Sequence, residues 1–220
     1  MFNQKTILIT GGTGSFGQKA AKYLISNYRS AKIIIFSRDE MKQWQMNLKF
    51  KQNKRLKYII GDVRDRERLS FALDNVDYCI HAAATKIVPT AEINPSECIK
   101  TNVIGAMNVI DACIEKKVKK VIALSTDKAC SPVNLYGASK LASDKLFTSS
   151  SINEYKSKSK FSVVRYGNVM GSRGSVIPFF LDKLDNNEQL PITSEKMTRF
   201  MITLEDAVKF VMFSLKDMKG

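Results

Sequence analysis

Residues 125–140 read STDKACSPVNLYGASK, which sets Tyr136 four residues before Lys140 and puts Asp127 beside Lys128 just after the apolar run VIAL. On a helix, positions i and i+4 share a face, so a helix opening near Leu135 brings the phenol and the ammonium together. A neighbouring ammonium favours the phenolate and lowers the tyrosine pKa toward a range useful for general base catalysis. By itself an Asp-Lys pair reads as a turn with solvated charges, and Y-x-x-x-K recurs by chance. The surrounding elements decide between surface polarity and chemistry.

Those elements alternate. Apolar, Ile- and Val-rich runs predict strands at Thr6 to Thr10, Lys32 to Ser37, Leu56 to Ile60, Tyr78 to Ala82, Lys120 to Leu124 and Phe161 to Tyr166. They are continuous rather than alternating, as in strands buried on both faces. Helical spacing lies between them at Phe16 to Asn27, Glu40 to Gln52, Arg66 to Leu73, Pro95 to Lys116 and Leu135 to Ser149. The predicted class is α/β, a Rossmann-like doubly wound parallel sheet with helices on both faces. Residues 1–166 form its dinucleotide-binding domain and carry the candidate catalytic groups. Residues 167–220 begin a small, incomplete substrate lobe, with a short helix from Ser175 to Asn186, a strand-like stretch from Arg199 to Thr203 and a helix from Leu204 to Lys216. The polar stretch at 149–160 reads as a solvated connector. With this layout, Asp127 and Lys128 stand at a strand's carboxyl end, where open sheets present their ligands.

ILITGGTGSFG follows the first strand, so Gly11, Gly14 and Gly17, with Thr13, Ser15 and Phe16 among them, lead into the first helix. Glycines permit a tight turn and close approach to a pyrophosphate, and the helix N-terminus supplies N–H donors. The strand before and helix after raise this above a lone glycine pattern. Ser37, Arg38 and Lys42, at and beyond the end of the second strand, suit a 2′-phosphate and favour NADP; a strand ending two residues later would bring Asp39 to the ribose and favour NAD. Asp62 is either an acceptor for an adenine amine, with Val63 against the ring, or a turn residue. Ala82 and Ala83 let the chain pass close to a cofactor, and Lys86 points into the ligand crevice. His81 reads as a packed strand-end residue.

The chain has 220 residues, 44% hydrophobic and 25% charged, a globular composition. No apolar run is long enough to span a membrane. The first residues lack signal-peptide features, so a cytoplasmic location is expected. Four cysteines without C-x-x-C spacing read as reduced thiols, and a single histidine leaves little for a zinc site or a Ser-His-Asp triad; no metal is expected. A net charge of +14 invites nucleic acid. The lysines are dispersed, however, and lack interleaved aromatics, so a solvated surface that draws in anionic ligands is the better account.

TILITGGTGSFG, FSRDE, GDVRD, HAAATK, NPSECIKTN, ALSTDKA, NLYGASK, VVRYGNVMGSRGSV and MTRF together resemble the extended short-chain dehydrogenase/reductases. More narrowly, they resemble the inverting UDP-N-acetylglucosamine 4,6-dehydratases of the pseudaminic acid pathway. Asp-Lys in STDKA separates this group from relatives with Ser or Thr, or with Asp-Glu. The resemblance implies tightly bound NADP, a UDP-N-acetylglucosamine substrate and a homo-oligomer. It implies that Tyr136 takes the proton of the 4-hydroxyl, Lys128 the carbon-5 proton, and that Asp127 protonates the departing 6-hydroxyl. It further implies Val169 at the cofactor and Ser125, Thr126, Asn168, Arg173 and Arg199 at the substrate. Thr85, Ile87 and Met201 depart from the family pattern, and members continue for roughly another hundred residues, a domain-scale segment. A UDP-sugar 4-epimerase would use Tyr136 and Lys140 without Lys128. A non-catalytic NADP-binding regulator, or a nucleic-acid binder on the same scaffold, has no need of the four groups together.

Overall fold

The computed structural model describes residues 1–152, 158–192 and 194–219. Six of the apolar runs become strands: β1 (Thr6–Thr10), β2 (Lys32–Ser37), β3 (Leu56–Ile60), β4 (Tyr78–His81), β5 (Lys120–Thr126) and β6 (Lys160–Tyr166). They form one sheet in the order β3-β2-β1-β4-β5-β6, with every adjacent pair parallel. Strand order reverses between β1 and β4, the topological switch point outside which such sheets bind ligands.

Both faces are covered, which explains the unbroken apolar runs. One face sets Ile7, Ile9, Ile33, Ile35, Ile80, Ile122 and Leu124 against α1 (Ser15–Asn27) and α9 (Leu204–Asp217). The other sets Leu8, Ile34, Cys79, Val121 and Ala123 against α3 (Arg66–Ala72), α6 (Gly105–Glu115) and Phe147 of α7 (Leu135–Ile152). Asp39 caps α2 (Glu40–Lys49) by accepting from Lys42 N–H, and Asp65 caps α3 in the same way through Arg68 N–H. These caps satisfy donors that each first turn would otherwise leave open.

The expected single helix from Pro95 to Lys116 is three pieces. α5 (Pro95–Ile99) runs into a π-helical turn over Lys100–Ile104 and only then into α6. A further helix, α4 (Val88–Ile93), stands before it. Its six residues are too few to show a period, and Pro89 in its first turn is the one signal it offers. α2 stops short of Gln52 because Lys51 and Gln52 adopt φ of 52° and 50°. β5 runs two residues past Leu124, taking in Ser125 and Thr126, which pair with Arg165 and Tyr166.

After β6, Asn168–Val169 (β7) and Met201–Ile202 (β8) pair in parallel as a separate two-stranded sheet. Only these two residues of the strand-like stretch at 199–203 are in a strand. α8 (Val176–Asp185) buries no side chain, whereas α9 buries Ala207, Val208, Val211, Met212 and Leu215. Of the expected connector at 149–160, residues 149–152 belong to α7 and residues 153–157 lie outside the described residues.

Among the described residues no helix is long and apolar enough to cross a membrane, and no group of three or more His, Cys, Asp or Glu is arranged to hold a metal ion. The four cysteines are free thiols.

Candidate active site

A cleft of about 720 Å³ opens along the carboxyl ends of the strands, across the switch point. Its floor at one end is the glycine turn. Gly11 has φ of 62°, and a β-carbon there would lie 2.9 Å from Ala82 O and from Ala83 N and Cα. Only glycine combines that left-handed backbone with so close a passage. Gly14 opens α1 with no side-chain cap, and the first turn of α1 holds no acid. Its N–H groups and positive dipole end therefore face the cleft without an internal anion, which fits a dinucleotide pyrophosphate.

Ser37, Arg38 and Lys42 line the same end. Ser37 closes β2 and accepts from Gln43 Nε2 at 3.1 Å. Asp39 is committed to α2 and to an ion pair with Lys42 at 2.6 Å. Asp62 is a turn acceptor: its carboxylate takes Arg64 N–H at 2.9 Å, Nε at 2.9 Å and Nη2 at 2.7 Å. Burial works to raise the Asp62 carboxyl, but the Arg64 contacts outweigh it and hold the group below the usual carboxylate range. Val63, Ala82, Ala83, Thr13, Ser15, Phe16, Gly17 and Val169 also line the cleft.

At the other end α7 presents Tyr136 and Lys140. The start of α7 is held by Asn134, whose Oδ1 accepts from Gly137 N–H at 2.8 Å, and by Glu92 of α4, whose Oε1 accepts from Leu135 N–H at 2.8 Å. Gly137 matters for another reason. Any side chain there would overlap the Lys128 carbonyl, so glycine lets the Tyr136 turn lie directly against the Asp127-Lys128 segment. Glycine early in a helix is unfavourable by about 1 kcal/mol relative to alanine, and that mismatch is the signal the sequence offers.

Lys128 reaches into the cleft, where its Nζ donates to Asn168 Oδ1 at 3.0 Å and to Asp127 Oδ1 at 3.2 Å. Asp127 also accepts from Thr126 Oγ1 at 3.0 Å. Burial pushes the Asp127 carboxyl up, and the Thr126 and Lys128 contacts more than reverse this, so it stays below its ordinary value. Ser125, Thr126, Lys86, Asn168 and Arg173 line the cleft as well. Lys86 Nζ donates to Arg173 O at 2.7 Å, and Arg173 N–H donates to Ser15 Oγ at 3.2 Å, which draws the GSRGS loop over the glycine turn. Two candidates stand apart. Asp127 does not line the cleft and meets it through Lys128. Arg199 is exposed and donates to Thr198 O.

The expected lowering of the Tyr136 pKa is not what this geometry gives. Burial pushes the phenol up to about 12, with the Thr126 hydroxyl working the other way. Lys140 carries the opposite response: burial lowers it to about 8. In water the i,i+4 neighbour would dominate, whereas here desolvation acts on both groups. His81 is buried, contacts Thr10 Oγ1 at 2.9 Å, and is pushed down to about 3 by burial and by the Lys140 charge. It is a neutral, packed ring.

Sequence reasoning does not single out Asn102 or Tyr166. Asn102, in the π-helical turn, is buried; its Oδ1 accepts from Thr85 N–H at 2.8 Å, and its Nδ2 donates to Thr85 O at 2.9 Å and Ser139 Oγ at 3.0 Å. Ser139 Oγ in turn donates to Tyr136 O at 2.8 Å. The π turn thereby ties the Lys86 loop to the Tyr136 helix, and nothing in the sequence sets Asn102 apart from Asn108 in the same helical stretch. Tyr166 closes β6 and lines the cleft, its phenol driven up by burial and then by Tyr136. Taken together, the cleft sets a phenol, an amine bonded to a carboxylate and a buried ammonium beside a diphosphate-type cradle, an arrangement able to move two protons on one bound substrate.

A family profile described as "Polysaccharide biosynthesis protein" matches residues 7–220. A Campylobacter jejuni (strain 81-176) protein named UDP-N-acetylglucosamine 4,6-dehydratase (inverting) is 61% identical over the whole chain, which spans 66% of that relative's length. A Rickettsia bellii (strain OSU 85-389) protein named UDP-glucose 4-epimerase is 47% identical over 98% of the chain, which spans 64% of it. Among solved structures, Pen from Bacillus thuringiensis superposes with a TM-score of 0.96 at 41% identity, covering 100% of this chain and 68% of that one.

Proposed function

The chain belongs to the polysaccharide biosynthesis protein family, and from that premise we propose that it is the NADP-dependent core of a UDP-N-acetylglucosamine 4,6-dehydratase that inverts carbon 5. The carrying observation is Lys128: its amine lies in the same cleft as Tyr136 and Lys140 and is bonded to both Asp127 and Asn168. An enzyme that only oxidises and re-reduces carbon 4 has no use for a second base.

When bound, the nicotinamide supplies a reversible two-electron acceptor for carbon 4 that returns the pair at carbon 6. The protein's own groups handle the protons. Tyr136 takes the proton of the 4-hydroxyl, and Lys140, as an ammonium, stabilises the phenolate this requires. The new ketone acidifies carbon 5, from which Lys128 removes the proton. The 6-oxygen leaves as water while the carbon 5–carbon 6 double bond forms, and its proton comes from Asp127 by way of the Lys128 amine, through which Asp127 meets the cleft. Asp127 and Lys128 are an ion pair at 3.2 Å; their roles as acid and base require that proton to sit on Asp127, and the hydrogen bond between them is its path. Reprotonation of carbon 5 from the opposite face gives the inverted 4-keto-6-deoxy sugar. The homo-oligomeric and pseudaminic acid parts of this reading rest on the family resemblance.

The test is the product. The full-length protein incubated with UDP-N-acetylglucosamine in deuterated water should yield a 4-keto-6-deoxy sugar labelled at carbon 5 by NMR. A 4-epimer with carbon 6 still hydroxylated would replace this reading with the epimerase that the Rickettsia relative's name suggests.

NADP rather than NAD is supported by Arg38, whose exposed guanidinium stands just after β2 and pairs with Asp62 at 3.7 Å, and by Asp39 being committed to its helix. Arg38→Ala should weaken NADP by about 10- to 100-fold, the loss of one charge-assisted hydrogen bond, and leave NAD nearly unchanged in calorimetric titration. Equal affinity of the unaltered protein for the two would count against the assignment.

A further inference from the structure

We propose that Asp144 is a positioning residue for the Tyr136–Lys140 pair: its buried carboxylate, one helical turn beyond Lys140 on α7 and ion-paired with Arg165 of β6, keeps Lys140 an ammonium. The proposal rests on the reading of Tyr136 and Lys140 given above.

Tyr136, Lys140 and Asp144 fall at i, i+4 and i+8 of α7, so they form one stripe toward the sheet. Lys140 is 3% exposed and Asp144 4%. A buried ammonium without a nearby anion gives up its proton. Among the described residues Lys140 makes no hydrogen bond or ion pair of its own, so a charge at longer range has to hold it. Asp144 is built for that role. Its Oδ2 accepts from Arg165 Nε at 2.7 Å, while its Oδ1 is buried with no hydrogen-bond partner.

Other ionisable groups surround the amine, and none substitutes. β4 offers His81, which is neutral, and α5 offers Cys98. β6 offers Arg165 and Tyr166, and α7 itself offers Tyr136. The segment after β5 carries Asp127, Lys128 and Cys130, and the Asp127 carboxylate is engaged by Lys128 and Thr126. Burial drives Lys140 down, and the Asp144 charge is what opposes it. Arg165 draws on the same carboxylate from the other side, so it tempers the effect. Removing Asp144 and removing Arg165 should therefore shift Lys140 in opposite directions, which a purely structural ion pair would not.

The experiment titrates Lys140 directly. Protein labelled with ¹³C at lysine Cε, with the Lys140 signal assigned through Lys140→Arg, is followed by NMR from about pH 6 to about pH 10. Asp144→Asn should lower the Lys140 midpoint by about one unit or more, Asp144→Glu should restore most of it, and Arg165→Met should raise it. In turnover, the alkaline limb should move to lower pH in Asp144→Asn and to higher pH in Arg165→Met. An unchanged Lys140 midpoint in Asp144→Asn overturns the proposal, as does a shift of both variants in the same direction. Should Asp144→Asn not fold, the double variant with Arg165→Met, which leaves no guanidinium charge unpaired, should still lower the Lys140 midpoint below that of Arg165→Met alone, and no difference between the two overturns the proposal. The NMR readout does not depend on catalysis: the predicted midpoints with normal turnover in Tyr136→Phe would sink the functional reading and leave the charge relation standing.

Discussion

Lys128→Met is expected to reduce formation of the 4-keto-6-deoxy product by about 10²- to 10⁴-fold, the range for removing a positioned general base. The substitution keeps the length and apolar stem of the side chain but removes the amine that meets Asn168 Oδ1 at 3.0 Å. The loss should be selective. Tyr136 and Lys140 remain, so oxidation at carbon 4 proceeds, and reduced nicotinamide absorbance should rise in the presence of UDP-N-acetylglucosamine and persist. Deuterium from solvent should no longer enter carbon 5. If oxidation and elimination fell together, Lys128 would be a binding residue and the proposed base would lie elsewhere.

Tyr136→Phe is expected to have the complementary effect, lowering both oxidation and product formation by about 10²- to 10⁴-fold while dinucleotide affinity changes little. Its hydroxyl lies in a cleft dry enough to push it up to about 12, so the phenol is a poor base until a substrate and a charged Lys140 are in place. Rapid-mixing absorbance separates the two variants: Lys128→Met should retain the early rise and Tyr136→Phe should lose it. A Tyr136→Phe protein that still oxidised the sugar would require another proton acceptor, and Tyr166, which also lines the cleft, would be the first to replace.

The sheet was legible because its strands are buried on both sides. Ile33, Ile34 and Ile35 must all be apolar when α1 and α2 lie on one face and α3 on the other, and no helix of this size demands that. The glycine turn was legible for a similar reason, since Gly11 answers to backbone geometry alone. Short pieces were not. α4 has six residues, and the π turn at Lys100–Ile104 leaves the composition of a helix unchanged while rotating α6 behind it. Asn102 is recognisable only from its partners, which lie in distant parts of the chain. Charge states escaped for a more basic reason: the spacing of Tyr136 and Lys140 is written in the chain, but the burial that raises one and lowers the other is a property of everything packed around them. Arg199 shows the opposite error, a basic residue in a suggestive motif whose guanidinium turns back to its own backbone.

The seat of α9 bears on how the protein is made. Val208, Val211, Met212 and Leu215 belong to the core that α1 shares, where α9 packs on α1, β5 and β6, so the side of α1 that it covers waits for a helix synthesised much later. At about 5–20 residues per second, that interval is on the order of ten to forty seconds. Throughout it, that side of α1 is an unsheltered apolar surface, the kind of sticky nascent segment that chaperones retain. Substitutions on the inner stripe of α9 would therefore act first on the yield of soluble chain, before they touched the chemistry of the cleft.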